Sequence, residues 1–166
     1  MKQTQNEKQL NWCFKKGEEG GEKHHGLRKT LPNQYKAQAH IQRAIRNLEA
    51  SKYFQKGDYE EWSVSATFYA MYHALLAILA HFGYESKNQQ CTFATIRQLI
   101  TENKISLTQE EITRISGEET ADDIISLREY YQYGTETTSA TTKLNTIQED
   151  AKNLVDKIRI ILQQIK

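Results

Sequence analysis

Between Val64 and Phe82 the chain runs nineteen residues without an Asp, Glu, Lys or Arg, and this stretch constrains the fold more than any other. A membrane span here would put Ser65, Thr67, Tyr69, Tyr72, His73 and His81 in hydrocarbon, with no basic flank to anchor either end. The hydropathy pattern argues for a helix buried in protein instead. At 3.6 residues per turn, Ala66, Ala70, Ala74 and Ala77 form a narrow seam of small residues, and Met71, Leu75, Leu79 and Phe82 form a bulky seam on another side. A helix apolar nearly all round is the central member of a bundle, its alanines admitting one neighbour closely and its bulky side filling space against others. Gly83 suits a left-handed position just past its end.

The remaining segments fit an all-α antiparallel up-down bundle of four main helices with short accessory helices. With one proline and eight glycines in 166 residues, the chain lacks the punctuation of an all-β fold. Leu144, Ile147, Ala151, Leu154, Ile158, Ile161 and Ile165 alternate by three and four, marking one face of a long last helix. Ala37, Ile41, Ala44 and Leu48 do the same after Pro32, and Gly57 and Asp58 predict a short antiparallel connection to the central helix. "QQCTFATIRQLITEN" predicts a helix with Phe93, Ile96 and Ile100 inward, followed by a short helix in "TQEEITRIS". In "EETADDIISLREYYQYG", Glu118, Glu119, Asp122 and Asp123 crowd a helix start and Gly134 closes its end. "GTETTSATT" then offers hydroxyl caps for the last helix. Two parts are expected: residues 1–31, a short helix with Leu10, Trp12, Cys13 and Phe14 docking on the bundle plus a glycine-rich mobile connector, and residues 32–166, the bundle itself.

Charge and cysteine usage bound the function. Basic and acidic residues number 22 and 21, so no bulk field draws the chain to nucleic acid or anionic membrane, and any basic site has to be local. Cys13 and Cys91 are the two cysteines, and the opening "MKQTQNEKQL" is polar. A cytoplasmic protein with free thiols is therefore expected. No spacing calls for a metal or a cofactor: His24 and His25 read as solvated loop histidines, and the four carboxylates at 118–123 lack the Glu-x-x-His pairs of a di-metal bundle. Tyr69 and His73 share a helix face four residues apart, a spacing that suits a structural phenol–imidazole hydrogen bond. "LREYYQYG" sets Arg128 among Tyr130, Tyr131 and Tyr133, and a guanidinium beside aromatic rings suits phosphate holding with base stacking. The bland alternative is Arg128 paired with Glu119 or Asp123 and tyrosines plugging the bundle end.

These two stretches carry a resemblance. "SVSATFYAMYHALLAILAHFGYESKNQQCT" resembles the signature of HEPN-domain proteins, small prokaryotic helical bundles, and "LREYYQYG" falls where that family carries a second signature Arg. The resemblance covers about Tyr35 to the C-terminus. It implies a homodimer, often encoded beside a minimal nucleotidyltransferase as a toxin–antitoxin pair, and in many branches a metal-independent endoribonuclease.

The departures from the family pattern narrow this. Its nucleases place a His after an Arg with four to six residues between; from Arg128 those positions hold Tyr133, Gly134 and Thr135, and no other Arg precedes a His at that spacing. The usual acid–base imidazole is therefore missing, and Tyr133, with an ordinary pKa near 10, is a poor base at neutral pH. Where the family often has a His after Ser-Lys, this chain reads "NQQ" from Asn88. The leading expectation is a binding module for RNA or nucleotide, or for a nucleotidyltransferase partner, in which Arg128 holds phosphate and Tyr131, Tyr133 and Tyr69 stack. The alternatives are an endoribonuclease in which His73 joins Arg128, and a bundle that binds only protein.

Overall fold

The computed structural model of the chain describes residues 3–117, 124–134 and 141–165. Over these the fold is all-α, with one small ribbon: α1 (Gln5–Glu19), β1 (Leu27–Lys29), α2 (Gln34–Lys56), α3 (Glu60–His81), β2 (Tyr84–Ser86), α4 (Gln89–Thr101), α5 (Gln109–Ser116), α6 (Ile124–Tyr133) and α7 (Thr141–Gln164). The uncharged run is the body of α3. Its alanine seam is buried throughout, as are Met71, Leu75 and Leu79, and Phe82 is half-buried just beyond it. Length and composition alone would let α3 cross a membrane, yet 78% of its most apolar eighteen-residue stretch is buried inside the protein. Gly83 follows at φ +75°, where an added Cβ would come within 2.6 Å of the Thr30 carbonyl oxygen.

α2 and α3 pair antiparallel, position rising on one as it falls on the other. The Asn33 N–H donates to the Ala80 carbonyl at 2.9 Å, His40 meets His73 at 3.0 Å, and Ser51 meets Ser63 at 2.9 Å. α7 runs antiparallel to α2 by the same criterion, Gln55 reaching Asn145 and Gln148 reaching Ser51. The apolar faces read from the sequence are the buried ones: Ala37, Ile41 and Ala44 in α2, and Leu144, Ala151, Leu154, Ile158 and Ile161 in α7, with Leu48, Ile147 and Ile165 half-buried. In α4, Phe93 and Ile96 are buried and Ile100 half-buried. Thr108 and Glu111 cap α5 reciprocally. The acidic group at 118–123 and the hydroxyl-rich stretch at 135–140 lie outside the described residues.

The N-terminal part corrects four expectations. Cys13 and Cys91, expected as free thiols, form a disulfide with Cα atoms 5.6 Å apart, because α1 lies along α4. Trp12 does not dock; it is 44% exposed, while Leu10 and Phe14 pack on the core beside buried Cys13. Leu10, Cys13, Phe14 and Gly17 share one helical stripe, and Trp12 falls on its far side. His24, expected in solvent, is fully buried with Nε2 2.9 Å from Glu85 Oε1. The connector expected to be mobile supplies β1, which pairs with β2 in the register Leu27↔Ser86, Arg28↔Glu85, Lys29↔Tyr84. Gly26 lets this ribbon meet α1, since a Cβ there would stand 2.3 Å from the Cys13 carbonyl oxygen.

Candidate functional site

The predicted site residues sort onto two sides of α3. Arg128, on α6, lays its guanidinium over the Phe68 ring with the carbon 4.2 Å from the centroid. Its Nε is buried without a hydrogen-bond partner, and among the described residues no carboxylate pairs with it. Packing on an aromatic face, a cation–π contact, fixes the group. Phe68 is wholly buried and holds Tyr69 edge-on at 5.3 Å and Tyr72 stacked at 5.8 Å. The Tyr72 hydroxyl meets Thr92 Oγ1 at 3.1 Å, and burial pushes its pKa up.

The tyrosines divide. Tyr69 is 43% exposed and Tyr133 83%, both large aromatic surfaces in water. Tyr131 is half-buried against the core and meets Tyr130 edge-on at 5.6 Å. Arg128 and Tyr69 thus share Phe68 as a common neighbour, Tyr133 stands in solvent at the end of α6, and Tyr131 faces inward. Asn88, at the position where the resemblance implies a histidine, instead caps α4 by accepting from the Cys91 N–H at 3.2 Å.

His73 lies elsewhere. The structural Tyr69–His73 bond expected from their spacing is replaced by a contact between two imidazoles, His40 Nδ1 to His73 Nδ1 at 3.0 Å, with the rings tilted by 31°. Burial, then the His73, Lys36 and Arg43 charges, brings the His40 pKa down to about 4, and burial with Arg43 lowers that of His73. Both imidazoles are accordingly neutral at pH 7. Phe68, which carries Arg128, is five residues before His73 and so about 140° round α3. The arrangement gives a fixed cation beside exposed rings on one side, and a neutral imidazole pair beside Arg43 on the other.

Sequence reasoning missed His40, Arg43 and Phe68. The signal for the first two was there: Lys36, His40, Arg43 and Asn47 recur at four, three and four residues along α2, a polar stripe beside its apolar one. Among the described residues, no three His, Cys, Asp or Glu side chains are grouped to hold a metal.

A family model described as "HEPN domain" matches residues 37–166. No curated protein matches the chain.

Proposed function

The chain belongs to the HEPN domain family, and from that premise we propose that it is a homodimeric RNA- or nucleotide-binding module of a prokaryotic toxin–antitoxin pair. The observation that carries this reading is Arg128, held over the Phe68 ring at 4.2 Å, with no carboxylate partner among the described residues and with exposed Tyr69 beside Phe68. A guanidinium so fixed loses little freedom on meeting a phosphate, and an exposed ring offers a base a stacking surface. Tyr133, four-fifths exposed at the place of the family's histidine, serves as a second stacking or modifiable group. A minimal nucleotidyltransferase is the proposed protein partner.

The endoribonuclease alternative, in which His73 serves as the base for Arg128, has no supporting contact. His73 faces His40, and Arg128 faces the other side of α3. We place the protein in the cytoplasm, where the complete burial of both cysteines limits access of reducing thiols to the Cys13–Cys91 bond.

Anisotropy of a labelled single-stranded RNA, with and without EDTA, tests the reading beside sizing of the complex. Binding without cleavage, weakened about tenfold by Arg128→Ala, supports it. Cleavage that survives EDTA and is lost in both Arg128→Ala and His73→Ala would replace it with the nuclease.

A further inference from the structure

Around α3 the groups run in the order Arg128, Phe68, Tyr69, His73, and then across to Arg43 on α2. Arg43 is exposed, and its charge reaches both imidazoles of the pair. Among the described residues no carboxylate pairs with its guanidinium, and its backbone carbonyl accepts from the Asn47 side chain. Lys36, earlier on the same stripe of α2, differs, since it pairs with Glu85 at 3.3 Å. Arg43 is therefore a cation left open beside two histidines.

The pair itself has open valences. A hydrogen bond between two Nδ1 atoms uses one nitrogen of each ring. With both rings neutral, the ring that donates leaves a bare Nε2 acceptor, and the ring that accepts carries an Nε2–H donor. Neither Nε2 has a hydrogen-bond partner among the described residues, and neither is a buried unsatisfied atom. Both therefore reach solvent. Tyr69 stands between this cluster and Arg128: it touches the Phe68 ring on one side and precedes His73 by one helical turn, about 6 Å, on the other.

We propose that Arg43 and the His40–His73 pair form a second phosphate subsite, so that single-stranded RNA crosses α3 with one phosphate at Arg128, a base on Tyr69 and a further phosphate at Arg43. The inference rests on the RNA-binding reading and specifies its substrate as an oligonucleotide, not a mononucleotide. One cation can hold a mononucleotide; two cations on either side of an exposed ring, with no carboxylate on either among the described residues, fit a strand. His40 and His73 supply a hydrogen-bond donor to the second phosphate, and a proton from solvent there would turn the acceptor Nε2 into a second donor.

Affinities for uridine monophosphate and a labelled uridine decamer, each across a salt series, test this with wild type, Arg43→Ala, Arg43→Lys and Arg128→Ala. Arg43→Ala is expected to weaken the decamer about tenfold, to lower the salt slope by about 0.7, and to leave the mononucleotide within twofold. Arg43→Lys restores most of the slope, because it restores the charge. Arg43 is on the surface, so an unchanged melting curve shows that folding is intact. If Arg43→Ala leaves decamer affinity and slope unchanged while Arg128→Ala weakens both ligands, the second subsite is wrong and the Arg128 reading stands. If Arg43→Ala weakens the decamer and Arg128→Ala does nothing, the subsite stands and the Arg128 reading falls. Failure of the wild type to bind either ligand overturns both.

Discussion

The α2–α3 hairpin carries two polar clusters, one toward the connection and one midway along it, and they differ in whether their hydrogen bonds are closed. Toward the connection, Ser51 Oγ meets the Ser63 carbonyl at 3.0 Å, Ser63 Oγ at 2.9 Å, Thr67 Oγ1 at 2.6 Å and the Gln148 amide at 2.8 Å, and Ser63 Oγ reaches the Ser51 carbonyl at 2.7 Å. All three hydroxyl residues are fully buried. This is a closed network that locks three helices, and it has no valence left for a ligand. Midway along the same hairpin, His40 and His73 satisfy only each other, Arg43 has no carboxylate partner among the described residues, and Tyr69 stands in water. Polar residues that use all their bonds internally specify the fold; those that keep bonds open are where a ligand can be held.

The largest effect should come from a closed feature. Reducing the Cys13–Cys91 bond, which spans 78 residues, is expected to lower stability by about 4 kcal/mol on chain-entropy grounds. Urea titration with and without reductant measures it, and RNA affinity should not change while the protein stays folded. A shift in affinity with no loss of stability would show that α1 belongs to the site. Next, Ser63→Val leaves Ser51 and Gln148 short of partners inside the bundle and is expected to cost about 2–3 kcal/mol. A cost below about 0.5 kcal/mol would mean the network is not closed.

How much of this was legible in the sequence depends on the range of the contact. α3 and α7 could be read because an apolar period of three and four is local, and Gly83 because a helix end is local too. The β1–β2 pairing, the His24–Glu85 contact and the disulfide join positions 55 to 78 residues apart, where no local pattern points from one partner to the other. The His40–His73 pair was hidden for the same reason. Arg128 could be singled out by its tyrosines, but the ring it sits on belongs to another helix.

The imidazole pair adds a pH signature to the open side. His40 and His73 are both held below the ordinary histidine value, His40 at about 4. The unfolded chain binds their protons first, so the stability they contribute is full above pH 6.5 and is lost as pH falls toward 4. Chemical denaturation at pH 7.5, 6 and 4.5 should show this decline, and His40→Gln should flatten it. A stability that is level over that range in the wild type would mean the pair titrates normally.

Smaller effects sharpen the contrast. Arg128→Ala removes one cation–π contact together with the buried, unpartnered Nε, so its stability change should stay within about 1 kcal/mol of zero, by thermal denaturation. A cost of several kcal/mol would make Arg128 a structural residue and place it with the closed set. Tyr133→Ala, at a residue 83% exposed, should alter stability by less than about 0.5 kcal/mol. A larger loss would show that Tyr133 is packed against something.

The most direct measurement is anisotropy of a labelled single-stranded RNA decamer, in EDTA, against wild type, Arg128→Ala and Ser63→Val, with a melting curve for each protein. The account predicts that Arg128→Ala binds about tenfold more weakly at an unchanged melting temperature, while Ser63→Val melts lower and binds normally below its transition. RNA affinity that is unaffected by Arg128→Ala, or that falls only in step with stability across the variants, would contradict it.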